Sequence, residues 1–138
     1  MSAVLIASIT ELCIADHQRD PERLSRWLAN KTPEAVAAWF DAETITLFVA
    51  EHDGKIAAAG GINRDGSEIV LNYVAPRYRF LGVSRALLGA MEQVLGPGEA
   101  SLTSTHTAHR FYLSAGWTDA GAIDRYAGMT AFPMRKML

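Results

Sequence analysis

The sequence predicts one α/β domain in which helices cover both faces of a mixed, mostly antiparallel sheet. Three observations carry this. The first 41 residues repeat helix-start signals and helical apolar spacing. Residues 44–74 divide into three short β-branched and apolar runs separated by turn signals. Beyond them a strand–helix–strand pattern demands a parallel pair with a right-handed crossover. The chain has 138 residues, which suits a single domain over 1–138 that folds without disulfides or a structural metal.

Taken in order, residues 3–16 set Leu5, Ile6, Ile9, Leu12 and Cys13 on a helical stripe and predict one amphipathic helix. Asp20-Pro21 is an N-cap followed by a proline at the first helical position, opening a helix to about residue 30. Thr32-Pro33-Glu34 repeats that signal and leads through Trp39 and Phe40. Residues 44–51, 55–62 and 68–74 read as strands, joined by the turns His52-Asp53-Gly54 and Asn63-Arg64-Asp65-Gly66. Residues 83–95 return to helical spacing through Val83, Leu87, Met91 and Val94, and Gly96-Pro97-Gly98 ends the helix. A short strand over 100–104, a helix over 107–115 closed by Gly116, and two closing antiparallel strands over 117–121 and 129–136 complete the sheet.

Composition narrows the function. A net charge of -2 provides no basic footprint for nucleic acid. An anionic ligand would have to be held by local backbone amides and a few arginines. The apolar start, residues 1–16, lacks a positive leader and is interrupted by Glu11, so it reads as neither signal peptide nor membrane span. Cys13 is the single cysteine, which excludes an intrachain disulfide and fits a reducing compartment, the cytoplasm. His106 and His109 have a spacing that can hold a metal, but no second ligand cluster accompanies them, and no metal is expected. His17 and His52 read as surface or turn residues.

The chemistry concentrates at the third strand and the helix after it. The first turn of a helix leaves N–H groups without partners, and with the macrodipole they favour an anion. Gly82 lets a ligand approach the backbone, Ser84 adds a small hydroxyl, and Arg77, Arg79 and Arg85 add charged donors. A diphosphate is a natural guest. The run Arg79-Phe80-Leu81-Gly82-Val83-Ser84 resembles the acetyl-CoA-binding motif of the GNAT superfamily of N-acetyltransferases: Arg or Gln, two residues, Gly, one residue, then Gly or Ala. Ser84 departs at the last position. A second segment, from Thr105 through Ala108, Phe111 and Tyr112 to Gly116 and Trp117, is similar to that family's strand-to-helix signature, with Thr105 where Asn is frequent. The resemblance covers residues 44–138 well and the first forty loosely.

The resemblance implies the GNAT fold and direct transfer of an acetyl group from acetyl-CoA to a primary amine of a small molecule or protein, through a ternary complex. It implies that Tyr73 and Val74 pair with the pantetheine arm where the third strand splays from the next, and that the Val74 N–H polarises the thioester oxygen. Arg79, Phe80, Leu81, Gly82, Val83, Ser84 and Arg85 would cradle the diphosphate, and Thr105, Ala108 and Phe111 would line the groove, with His109 beside them. Tyr112 is the expected general acid for the leaving thiolate. Glu68 is the expected general base, acting directly or through water. Cys13, expected far from both motifs, reads as a buried apolar residue. Trp27, Trp39, Phe40, Tyr126 and Met129 are expected either to wall the acceptor site or to pack in the core. The family opens with a short edge strand, whereas here the helical pattern starts almost at Met1. Either that strand is absent or the first few residues supply a vestige of it; if it is absent, a second subunit, making a homodimer, would be one cover for the exposed edge. The alternative reading is a non-catalytic acyl-CoA-binding module on the same fold.

Overall fold

The N-terminal third is helical because its caps are. In a computed structural model, described over residues 1–126 and 128–138, the Asp20 carboxylate accepts from the Glu22 amide and starts α3 (Pro21–Leu28). The Thr32 hydroxyl accepts from the Ala35 amide and starts α4 (Pro33–Trp39). The single helix expected over 3–16 is two: α1 (Ser2–Leu12) stops at Cys13, and one turn, α2 (Ile14–His17), follows. The break turns two polar residues inward. Asp16 is 5% exposed and His17 1%, so His17 is a core residue, contrary to its surface reading. The His17 Nε2 stands 3.1 Å from the Ile9 carbonyl and 3.2 Å from that of Thr10, while Nδ1 accepts from the Arg19 amide. That arrangement assigns the proton to Nε2 and caps the end of α1.

The sheet follows the sequence closely. β1 (Ile45–His52) and β2 (Lys55–Asn63) join through Asp53 and Gly54, whose φ values of 52° and 74° both lie in the left-handed region a tight hairpin requires. β3 (Glu68–Val74) pairs with β2, but Gly61 faces Leu71 while Ile62 faces Ile69, leaving Val70 as an extra, bulged residue. After the 3-10 turn Pro76–Tyr78 come α5 (Val83–Leu95), β4 (Glu99–Thr105), α6 (His106–Ser114), β5 (Thr118–Asp119), β6 (Asp124–Tyr126) and β7 (Met129–Met137). The order is β1-β2-β3-β4-β7-β5, with β6 also on β7. The crossover pair β3–β4 is parallel, as expected, and the other described pairings are antiparallel. β6 lies outside the strands expected from sequence. Its three residues carry no strand pattern and are held by register with β7.

Each face of the sheet has its own core. Leu87, Leu88 and Met91 of α5 pack with Ala58, Ile62, Ile69, Leu102 and Trp117. Ala59, adjacent to Ala58 and so directed to the opposite face, packs with Leu5 of α1 and Val36 of α4. Ile9, Cys13 and Trp27 pack with Met129. Trp27 and Met129 are therefore core, Trp39 packs against Leu5 and Val36, and Phe40 is exposed. The Tyr126 side chain lies outside the described residues. Because α1 begins at Ser2, β1 is the outer strand of the sheet, and the short edge strand of the family has no counterpart among the described residues.

Candidate active site

The site opens where β3 and β4 part. Their pairing consists of Glu68 with Ser101 and Ile69 with Leu102. β4 then stays with β7 through Thr105, while the bulged β3 stays with β2 through Val74. The resulting cleft holds about 380 Å³. The Ala75 amide donates to the Ala57 carbonyl at 2.7 Å, so Ala57 and Ala75 form a hydrogen-bonded pair. The neighbouring pair, Ala58 and Val74, is then the non-bonded kind, and so is Gly60 with Asn72. The backbone N–H and C=O groups of Asn72 and Val74 therefore point away from β2, into the gap. An extended guest can pair with them as an added strand would.

The mouth of the cleft is built for an anion. Gly82, at φ 78°, precedes α5, and no side chain caps that helix. Its first-turn amides are open toward the rim formed by Gly82, Val83, Ser84 and Arg85. Arg79 and Arg85 also line the rim, and neither has a carboxylate partner among the described residues. Arg79 lies over the Phe80 ring at 4.5 Å, and Phe80 is 87% exposed at φ 65°. The contrast with α6 is instructive. There Thr105 accepts from the Ala108 amide, and the buried Asp16 carboxylate accepts from the His106 amide at 2.6 Å, the Thr107 amide at 3.1 Å and the Thr107 hydroxyl. The N-terminus of α6 is occupied by protein, and that of α5 is left open.

Tyr112 of α6 lies against the inner wall. It packs edge-on to Phe111 and Trp117 and is 6% exposed, and its hydroxyl accepts from Asn72 Nδ2 at 3.3 Å. Burial pushes its phenol up to about 12, partly opposed by the Asn72 hydrogen bond. It is therefore a neutral proton carrier at ordinary pH. Tyr73, beside it, is also raised by burial, with the nearby Cys13, Tyr112 and Asp16 adding to the effect and a hydrogen bond with Trp27 opposing it. Cys13 lines the same cleft, contrary to the expectation that it lies far from both motifs. Burial, then the Asp16 charge, raise its thiol to about 12, with the Thr107 hydrogen bond opposing. It remains a thiol and a poor nucleophile at neutral pH.

Of the residues singled out from sequence, Tyr73, Val74, Arg79, Phe80, Gly82, Val83, Ser84, Arg85, Thr105, Ala108, Phe111 and Tyr112 converge on this one cleft. Leu81 and Glu68 do not line it: Leu81 is exposed, and Glu68 sits at the closed end of the gap, between Asn63 and Ser101. His109 is not a lining residue either. It pairs with Asp119 at 2.7 Å and stacks on Phe132. Sequence reasoning passed over Asn72 and Thr107. Period-two spacing from Val74 would have placed Asn72 on the same face, whereas Thr107 is marked only by its contact with Asp16. No group of three or more metal-ligating side chains occurs among the described residues, and none of their helices is long and apolar enough to cross a membrane.

The sequence pattern of the acetyltransferase (GNAT) domain matches residues 14–138. Solved structures agree in fold. A GCN5-related N-acetyltransferase from Rhodopseudomonas palustris superposes with a TM-score of 0.83 at 21% identity, covering 99% of this chain and 87% of that one. The PaiA N-acetyltransferase from Thermoplasma acidophilum, solved in complex with coenzyme A, gives 0.77 at 17% identity over 99% and 90%. The ribosomal-protein-S18-alanine N-acetyltransferase from Escherichia coli gives 0.60 at 24% identity over 75% and 76%. No curated protein sequence matches this chain. With both motifs meeting at one cleft, and with the family pattern spanning all but the first thirteen residues, the chain belongs to the GNAT acetyltransferase domain family.

Proposed function

We propose that this chain transfers the acetyl group of acetyl-CoA directly to a primary amine of a small molecule or protein, in a ternary complex. The observation that carries the reading is the pairing of a strand gap, with free backbone groups at Asn72 and Val74, with a buried neutral tyrosine on its wall. The diphosphate of the donor lies against the open amides of α5, between Arg79 and Arg85. Its pantetheine arm runs along β3. The amine lone pair attacks the thioester carbon, and the carbonyl π pair moves to oxygen, which takes a hydrogen bond from the Val74 N–H. The oxyanion then collapses, the C–S bond breaks, and the sulfur takes the Tyr112 proton as the amide forms. The proton shed by the attacking nitrogen leaves to a solvent base, and solvent returns a proton to the Tyr112 phenolate, restoring the acid. Glu68 is not a lining residue of the cleft, so in this reading it serves only through intervening solvent. Cys13, held as a thiol, carries no acyl group.

An amine panel scored by CoA release tests the reading. Release with at least one primary amine class is expected. Tight acetyl-CoA binding without release across the panel returns the non-catalytic binding module.

A further inference from the structure

Tyr112 can act as an acid only if its one proton is not already committed to the protein. A phenol hydroxyl has one hydrogen to give and can also accept. The protein contact on this hydroxyl comes from Asn72, whose Nδ2 donates to it. No carbonyl or carboxylate is within hydrogen-bonding reach of the same oxygen among the described residues. The other end of the Asn72 side chain, Oδ1, is buried and has no partner. Nothing else in the protein therefore fixes the direction of this amide, and the two directions have opposite consequences. With Nδ2 toward Tyr112, the phenol proton is free to point into the cleft. With Oδ1 toward Tyr112, the phenol donates to the amide and the proton is spent.

We propose that Asn72 is a positioning residue for acetyl transfer, holding Tyr112 as a hydrogen-bond acceptor so that its proton stays available to the departing sulfur. The proposal rests on the acetyl-transfer reading for its role and on the single contact of Asn72 Nδ2 with the phenol oxygen at 3.3 Å for its direction. Asn72 suits this task by its place on β3. The bulge at Val70 shifts the strand, and Asn72 follows two residues later, with its backbone facing the gap and its side chain reaching α6. The same residue thus borders the donor's arm and sets the acid. A hydrogen bond donated to the phenol oxygen favours the phenolate, which helps the proton leave. A bond accepted from the phenol does the reverse. Among the described residues, the other ionisable residues lining the cleft are Cys13, Tyr73, Tyr78, Arg79 and Arg85, with Asp16 close to Cys13 and Tyr73; burial holds Cys13 and Tyr73 protonated.

Two measurements test the proposal. In the first, Asn72→Asp keeps the shape but replaces the donor with a carboxylate that captures the phenol proton. The expected result is a loss in kcat of about a hundredfold, the lower range for a general acid, with the acetyl-CoA Kd within threefold of wild type. Because Asn72 acts through Tyr112, Asn72→Asp should add nothing in a Tyr112→Phe background. A further loss there of tenfold or more would mark a structural role and overturn the proposal. The second measurement needs no turnover, and so separates this proposal from failure of the acetyl-transfer reading. With 3-fluorotyrosine at position 112, whose lower pKa brings ionisation into a range the fold tolerates, Asn72→Ala should raise the ionisation midpoint, because a donor to the phenolate is lost. A midpoint that falls or stays unchanged means that Asn72 does not hold Tyr112 as an acceptor, and the proposal is overturned.

Discussion

At the scale of single residues, the cleft works by keeping protons on buried groups. Tyr112 and Cys13 are each raised to about 12, chiefly by burial, and Tyr73 is raised for the same reason. A group that holds its proton more tightly when folded than when unfolded adds stability that is whole below its unfolded pKa. That stability is lost as the pH climbs toward the folded value. For Cys13 the loss begins near 9, and for Tyr112 near 10. The urea midpoint should accordingly be flat through neutral pH and fall between pH 9 and 12, and Cys13→Ala should delay the onset of the fall. Tyr112→Phe removes the proposed acid while keeping the ring that packs on Phe111 and Trp117. It should lower kcat by roughly 10²-fold or more and change acetyl-CoA affinity little, read by steady-state kinetics beside calorimetry. Unchanged turnover would take Tyr112 out of the chemistry.

At the scale of elements, two helix N-termini face one region and are treated oppositely. The first turn of α6 is tied to α2 by Asp16, across ninety residues of sequence. Those bonds fix α6, and with it Tyr112, relative to the helices of the other layer. Asp16→Ala removes the carboxylate from two part-buried amides and should cost on the order of 1–2 kcal/mol in chemical denaturation. Asp16→Asn, which keeps an acceptor, should recover part of that. The open end of α5 depends instead on Gly82 at φ 78°. A Cβ there meets no atom within 4 Å, so Gly82→Ala is strained only through its backbone, by about 1 kcal/mol. Its effect on acetyl-CoA binding should exceed that on stability if, as proposed, the diphosphate approaches the backbone at Gly82. Equal effects would move the diphosphate elsewhere.

At the scale of the whole molecule, the cleft is a by-product of how the sheet is divided. β3 belongs to the antiparallel group with β1 and β2, β4 belongs with β7, and the two groups touch at two register positions. A guest lying in the gap would complete hydrogen bonding that the sheet leaves open. Binding should therefore stabilise the whole fold. Acetyl-CoA at 100 times its Kd adds about 2.7 kcal/mol by mass action, a rise in Tm on the order of 10 °C for a domain of this size. No shift at millimolar acetyl-CoA would remove the donor site. The outer strand β1 has no partner on its far side among the described residues, and sedimentation over a range of concentrations would show whether a second copy covers it.

The sequence alone determined what repeats locally. Strand alternation, the tight turn at Asp53-Gly54, the proline-and-cap starts of α3 and α4, and the glycine before α5 are set by near neighbours, so those elements and the uncapped start of α5 could be read in advance. What depends on distant partners could not. Cys13 and His17 lie in a stretch whose helical spacing continues through residue 16, yet the chain bends there because Asp16 meets α6 and His17 closes α1. Glu68 shares a strand with the site, but the point where β3 leaves β4, two residues into the pairing, puts it at the closed end. Asn72 carries no motif, and only the approach of α6 across the gap brings its amide to Tyr112. Local backbone preference wrote most of the elements, though not β6 or the break between α1 and α2. The tertiary structure, by choosing which buried polar groups must find one another, decided which of their residues form the site.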